Sequence, residues 1–327
     1  MRRHRTAAGI LLAVGALFAG GLLSPGAANA APPEPVSGPS VAARTASAAE
    51  QHKARTFWTP ERMRAATPLD LLLTPRAAKR LRAPETGGRS TTVEPTAAPA
   101  SFPQAGGPWT GGGTVVSTSG RVFFSFQGRT ASCTGNAVTS QNSSTVITAG
   151  HCVKYQGSWH TNWVFVPGYN NGNAPYGQWA AAKTLTTPQW EATEDINNDV
   201  GAAVVAPLNG QKLTSVVGAQ GVQFNGGYNK KMYSFGFPAA APYDGTKLIY
   251  CSGNSAKDFL FTQDHSLGCN MTGGSSGGPW LTDFSETTGT GLQVSVNSFG
   301  YVFLPNTMFG PYFGDVAKAL YEKAQTS

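Results

Sequence analysis

The chain has 327 residues with 40 glycines, 22 prolines and only 13 % charged side chains, a composition that favours many turns and little long helix. The formal net charge of +7 belongs to the first hundred residues, which hold 13 Lys or Arg against 6 Asp or Glu, while residues 101–327 hold 11 of each. Nucleic-acid binding needs a basic patch on the folded domain itself, and these totals give that function class no support.

Residues 1–30 read as a secretory signal peptide. Arg2, Arg3 and Arg5 form a positive start, Ile10 to Leu23 an apolar stretch, and Ala28-Asn29-Ala30 a small-x-small cleavage site. The apolar run is too short and too broken by glycine for a membrane span, and no later run of about 20 apolar residues occurs. The mature protein is therefore expected outside the cell, secreted and with no membrane association.

Residues 31–108 differ in kind. They are rich in Ala, Pro, Thr and Arg, and eleven prolines from Pro32 to Pro103 interrupt any long element. Such a segment buries too little apolar surface to fold alone. It is expected to be largely disordered, with at most a short helix around Pro68 to Leu81. A linker would look the same, but a propeptide is the reading adopted, because a self-sufficient domain follows.

From about residue 109 the texture changes. Val122–Phe126, Thr145–Thr148, Asn162–Val166, Val200–Val205, Lys231–Phe235, Lys247–Tyr250 and Leu292–Val296 are short β-rich runs separated by Gly, Asn, Pro and Ser clusters. Many short strands with turn signals between them predict an all-β sandwich or barrel. Only Asp315 to Ala324 reads as a helix, with Val316, Leu320 and Tyr321 roughly on one face.

The four cysteines are Cys133, Cys152, Cys251 and Cys269. An even count in an exported protein favours disulfides, and four cysteines allow three connectivities. The sequence-local pairing, Cys133 with Cys152 and Cys251 with Cys269, would close two loops worth roughly 3 kcal/mol each in the chain-entropy model. His265, with Cys251 and Cys269, offers one ligand too few for a structural zinc site, and disulfides would consume both thiols. No metal site is expected.

Three local strings carry chemistry: Thr148-Ala149-Gly150-His151-Cys152, Asn198-Asp199 followed by the apolar run Val200-Gly201-Ala202-Ala203-Val204, and Gly273-Gly274-Ser275-Ser276-Gly277-Gly278-Pro279. Acyl transfer on serine needs a base for the hydroxyl proton, an anion to orient that base, and donors for the oxyanion. His151 supplies the base, Asp199 the orienting anion and Ser276 the nucleophilic serine itself. The glycines around Ser276 allow the N–H groups of Gly274 and Ser276 to converge as an oxyanion hole, where one donor is typically worth about 2.7–4 kcal/mol of barrier. Glu194 and Asp195 are rival carboxylates, but only Asp199 is followed directly by an apolar strand. His160, near Trp159 and Trp163, reads as a surface or packing residue.

In this order and at these spacings the strings resemble the chymotrypsin-like (trypsin-fold) serine proteases, and most closely the secreted bacterial branch that includes glutamyl endopeptidases. The resemblance covers roughly residues 113–327. It implies two six-stranded antiparallel β-barrels, about 113–207 and about 208–312, with His151 and Asp199 from the first and Ser276 from the second. A short C-terminal helix after Gly310-Pro311-Tyr312 would close the domain. Ser132-Cys133-Thr134-Gly135-Asn136-Ala137-Val138 resembles the strand whose cysteine bridges to the one after the histidine. Ser298-Phe299-Gly300 resembles the edge that pairs with substrate backbone. By the same resemblance, Asn270 to Gly274, Ser298 to Tyr301 and Phe309 to Tyr312 wall the primary pocket. None of these segments is charged, so an apolar or small substrate residue is the default.

The implied function is a secreted serine endopeptidase, an enzyme acting on protein or peptide substrates through an acyl-enzyme on Ser276. It would work as a monomer, without cofactor, with its own propeptide as partner. One departure is informative. The digestive enzymes carry Asp before the nucleophile, where it pairs with the new N-terminus after activation; Ser275 stands here and makes no such ion pair. Activation is therefore expected to be release from the leader. An α/β-hydrolase is excluded because its order is Ser, acid, His, and no histidine follows Ser276. A binding module on the same fold would usually have lost a member of the triad, and all three are present.

Overall fold

A computed structural model describes residues 40–72, 88–93 and 104–327. The signal peptide expected over residues 1–30 and the remaining parts of the expected leader lie outside the described residues.

The leader contributes β1 (Ala42–Thr45), helix α1 (Ala48–Phe57), helix α2 (Pro60–Ala65), β2 (Thr67–Pro68), the single turn α3 (Leu69–Leu72) and β3 (Thr91–Val93). α1 is closed at its start by a capping box, with Ser47 accepting from the Glu50 amide and Glu50 accepting from the Ser47 amide. Thr59 caps α2 by accepting from the Arg62 amide alone, ahead of Pro60 at the first helical position. The expectation of a largely disordered leader is thus corrected over residues 40–72. Its few apolar side chains are spent on the neighbouring domain: Trp58, Met63 and Leu69 are buried, and Trp58 packs tilted against Phe123 with ring centroids 5.3 Å apart. The helix expected from Pro68 onward is present as α3, and residues 73–81 lie outside the description.

The first half of the domain consists of β4 (Ser119–Phe126), β5 (Arg129–Ala137), β6 (Thr145–Thr148), β7 (Thr161–Pro167), β8 (Trp179–Thr186) and β9 (Gly201–Val205). Antiparallel pairing runs β4–β5–β6–β9–β8–β7 and back to β4, a closed six-stranded barrel. β4 and β5 are joined by Gln127-Gly128, both at positive φ, the two-residue turn whose twist matches the flanking strands. Inward-facing Val122, Phe124, Phe126, Ile147, Phe165 and Leu185 fill the interior. The leader adds to this barrel at two places, β1 antiparallel on β8 and β2 parallel on β5.

The second half holds β10 (Gly221–Phe224), β11 (Lys231–Gly236), β12 (Ile249–Asn254), β13 (His265–Gly268), β14 (Pro279–Ser285), β15 (Thr290–Val296) and β16 (Thr307–Gly310). Hydrogen bonding does not close these strands into one ring. β15, β14, β11 and β12 form one antiparallel run, with β10 parallel to β15 and the leader's β3 outside it. β13 and β16 form a separate ladder, tied to the rest by the Cys251–Cys269 disulfide and a bridge between Phe299 and Phe309. The terminal helix α4 (Asp315–Gln325) buries Ala317, Leu320, Tyr321 and Ala324 in the core of the first barrel. Both sequence-local disulfides are present, Cys133–Cys152 and Cys251–Cys269.

Candidate active site

His151 sits in a single 3₁₀ turn, Gly150–Cys152, immediately after β6. The turn is held from both sides. The Cys133–Cys152 disulfide pins it to β5, and the His160 Nε2 donates to the His151 carbonyl at 2.8 Å. His160 is buried rather than on the surface, stacked on Phe124, and burial pushes its imidazole down to about 3, so it stays neutral.

Asp199 is fully buried at the start of β9. Thr187 Oγ1 donates to the carbonyl of Asn198 and Thr186 Oγ1 to that of Val200, fixing the backbone on both sides of it. Its Oδ1 accepts from the His151 amide at 2.8 Å. Its Oδ2 lies 2.7 Å from His151 Nδ1 and accepts from Ser298 Oγ at 2.5 Å. Burial alone would lower the His151 pKa, but the charge of Asp199, its hydrogen bond and the charge of Asp70 outweigh burial, and the net shift is upward. With Nδ1 held by Asp199, Nε2 is the ring nitrogen left without a hydrogen-bond partner. Asp195 serves the turn instead, accepting from Asn197 and Asn198, and Glu194 accepts from the Gly157 amide.

Ser276 lies on the 272–278 loop between β13 and β14. Gly274 adopts φ +97, and Gly277 adopts φ +82 with no room for a side chain beside Thr134 and Thr148, so both positions require glycine. The loop is gripped by two residues that sequence reasoning missed. Asn297 Nδ2 donates to the carbonyls of Ser275 and Phe235, while its Oδ1 accepts from Trp280 Nε1 and Ser234 Oγ. Thr134 on β5 donates its amide to the Ser276 carbonyl and its hydroxyl to the Gly274 carbonyl, and accepts from the Phe237 amide. Ser275, where the digestive enzymes have Asp, is buried and donates to the Thr272 carbonyl at 2.8 Å.

The Ser276 hydroxyl does not donate to His151. It donates to Asp70 Oδ1 of the leader at 2.9 Å, and the Gly274 amide donates to Asp70 Oδ2 at 3.0 Å. No local signal marks Asp70, which is one acid in Pro68-Leu69-Asp70-Leu71-Leu72.

Of the expected substrate-contacting residues, Asn270 is exposed and accepts from Tyr243 OH, Gly300 is exposed, and Phe299 is half-buried in its bridge to Phe309. Ser298 is turned inward to Asp199. His265 is buried, packed against Tyr228 and Tyr312, and burial pushes it down to about 3, so it brings no positive charge to the pocket. Asp258 touches Tyr301 OH, but its carboxylate also accepts from the Leu260, Phe261 and Thr262 amides and the Thr262 hydroxyl. Among the described residues, the one cluster of metal-donor atoms is Cys133, His151 and Cys152, whose two sulfurs are bonded to each other.

No family model matches the chain. Among solved structures, the protease Anisep from Arthrobacter nicotinovorans is 45 % identical, with a TM-score of 0.61 over 64 % of this chain and 96 % of its own. The thermostable serine protease AL20 from an extremophilic microorganism is 39 % identical, with a TM-score of 0.62 over 65 % of this chain and 99 % of its own. A Glu endopeptidase shares the fold at 16 % identity, with a TM-score of 0.54 over 68 % of this chain and 98 % of its own. Among curated proteins, the extracellular metalloprotease of Bacillus subtilis strain 168 is 30 % identical over 176 residues, and the chain spans 51 % of its length.

Proposed function

Given that the chain belongs to the chymotrypsin-like serine proteases, we propose that it is a secreted endopeptidase that cleaves peptide bonds through an acyl-enzyme on Ser276. The observation that carries this reading is the buried Asp199–His151 pair, which fixes Nδ1 and leaves Nε2 as the base.

In the proposed reaction, Ser276 Oγ attacks the scissile carbonyl carbon as His151 Nε2 takes the hydroxyl proton. Asp199 stabilises the imidazolium without itself taking the proton. The amides of Gly274 and Ser276 hold the oxyanion. His151 then gives its proton to the leaving amine. It next draws one from the water that hydrolyses the ester, which returns Ser276 to its hydroxyl form. The pocket walls carry no free charge, so an apolar or small residue is favoured N-terminal to the cut.

Among the described residues, the metal implied by the name of the Bacillus relative finds no donor set to hold it. The two sulfurs nearest His151 are joined in a disulfide, and Nδ1 is committed to Asp199. The test is hydrolysis of a peptide library by the leader-free protein and by its Ser276→Ala variant. Cleavage lost in the variant supports the reading, and cleavage retained in it overturns it. Cutting dominated by Arg, Lys or Glu would overturn the assignment of the pocket.

A further inference from the structure

The leader places a carboxylate where the reaction would place its developing negative charge. Asp70 Oδ2 accepts from the Gly274 amide at 3.0 Å, and Oδ1 holds the Ser276 hydroxyl at 2.9 Å. A planar carboxylate that takes an oxyanion-hole donor with one oxygen and the serine proton with the other reproduces the end of a just-cleaved peptide. It is inert there, because a carboxylate carbon is a poor electrophile and bears no leaving group.

Asp70 is not a loose side chain that strayed into the cleft. Thr67 and Pro68 pair in parallel with Ala131 and Ser132 on β5, the strand that also carries Thr134. Leu69 is fully buried in the barrel core. Pro68 and Asp70 lie against Gly273, where even a methyl group would be tight. Further back, Trp58 is buried with its Nε1 donating to the Asn162 carbonyl, Gln178 Nε2 donates to the Trp58 carbonyl, and β1 extends β8. The group that blocks the site is therefore aimed by a folded seat over 30 residues long.

We propose that residues 42–72 are a built-in inhibitor whose blocking group is the Asp70 carboxylate, seated in the oxyanion hole and holding the Ser276 hydroxyl away from His151. The proposal rests on the reading of Ser276 as nucleophile. Cutting the chain after Leu72 would not by itself open the site, since the seat is held by strand pairing and apolar burial rather than by the peptide link. Activation requires the seat to leave.

The test uses the full chain, a fluorophosphonate probe of the serine, and intact mass to show that each labelled molecule still carries its leader. The wild-type full chain is expected to label slowly. Asp70→Ala should label faster by roughly 10- to 100-fold, the range for losing a hydrogen bond to a charged group. Asp70→Asn keeps the size and at most one of the two acceptor contacts, so it should fall between them. Unfolding temperatures of the two variants close to wild type would show that the seat is intact. If Asp70→Ala unfolds early, Asp70→Asn carries the comparison alone. Equal labelling of wild type and the folded variant would overturn the proposal. Wild-type protein freed of its leader serves as the reference: absence of labelling there would overturn the nucleophile assignment, and the inhibitor proposal with it.

Discussion

The Thr134 amide donates to the Ser276 carbonyl at 2.7 Å, so a strand of the first barrel holds the loop that belongs to the second half. The residue next to Cys133 thereby sets the Ser276 loop against the His151 turn, to which Cys133 is itself bonded.

Thr134→Val should separate the two uses of that residue. The backbone bond to Ser276 survives, but the Gly274 carbonyl loses its donor and the buried Phe237 amide its acceptor. The expected cost is about 1–3 kcal/mol of stability, with kcat falling more than KM rises. Thermal unfolding beside steady-state kinetics checks this; a stability loss with kcat untouched would show that the Thr134 hydroxyl does not position the loop.

Asp199→Asn should lower kcat by about 10⁴, the loss associated with a wrong histidine tautomer in this type of site. An amide nitrogen turned to His151 Nδ1 makes that atom an acceptor and puts the ring proton on Nε2, which then cannot receive the serine proton. Direct observation of the ring proton by NMR, alongside kcat, tests the tautomer and not merely the loss of activity.

Asp264 is fully buried, and neither carboxylate oxygen has a hydrogen-bond partner. Burial, together with the charges of Asp199, Asp258 and Asp195, holds its pKa well above the ordinary carboxylate range. The folded state therefore keeps a proton that the unfolded chain releases, so stability falls as pH rises from the unfolded carboxylate pKa toward the folded one. Asp264→Asn should remove that fall. Unfolding free energy measured from about pH 4 upward should be flatter in the variant, and parallel curves would mean that Asp264 does not titrate this way.

Ser275 in place of an acid leaves no ion-pair partner at that site for a new N-terminal ammonium. Acetylating the N-terminus of the leader-free protein should leave peptide hydrolysis unchanged. A large fall in rate would mean that the new N-terminus docks after all.

The residues read from the sequence were those announced by their immediate neighbours: His151 by Thr-Ala-Gly and a cysteine, Ser276 by its glycines, and β6 by an unbroken Thr-Val-Ile-Thr. The residues missed act through partners far along the chain. Thr134 reaches Gly274 at a separation of 140 residues, and Asp70 reaches Ser276 at 206. β8, with Trp-Ala-Ala-Ala-Lys in its first half, has weak intrinsic preference for a strand, and its pairing with β7, β9 and β1 decides the outcome. The leader looked unstructured because its burial is against another segment, which no reading of its own composition can count.

The distance between Asp70 and Ser276 also sets a schedule. At roughly 5–20 residues per second, the ribosome finishes the leader some ten to forty seconds before the serine loop exists. Within that interval β5 and β8, the strands that the seat joins, are also made, ahead of the serine loop. The seat's helices carry their own caps at Ser47 and Thr59, and the mostly polar chain around them tolerates water. The stopper is made before the bottle. A nascent molecule thus has no moment at which Ser276 is in place and Asp70 has yet to be made, and a cell producing this protein is protected by the order of synthesis as well as by the fit of the parts.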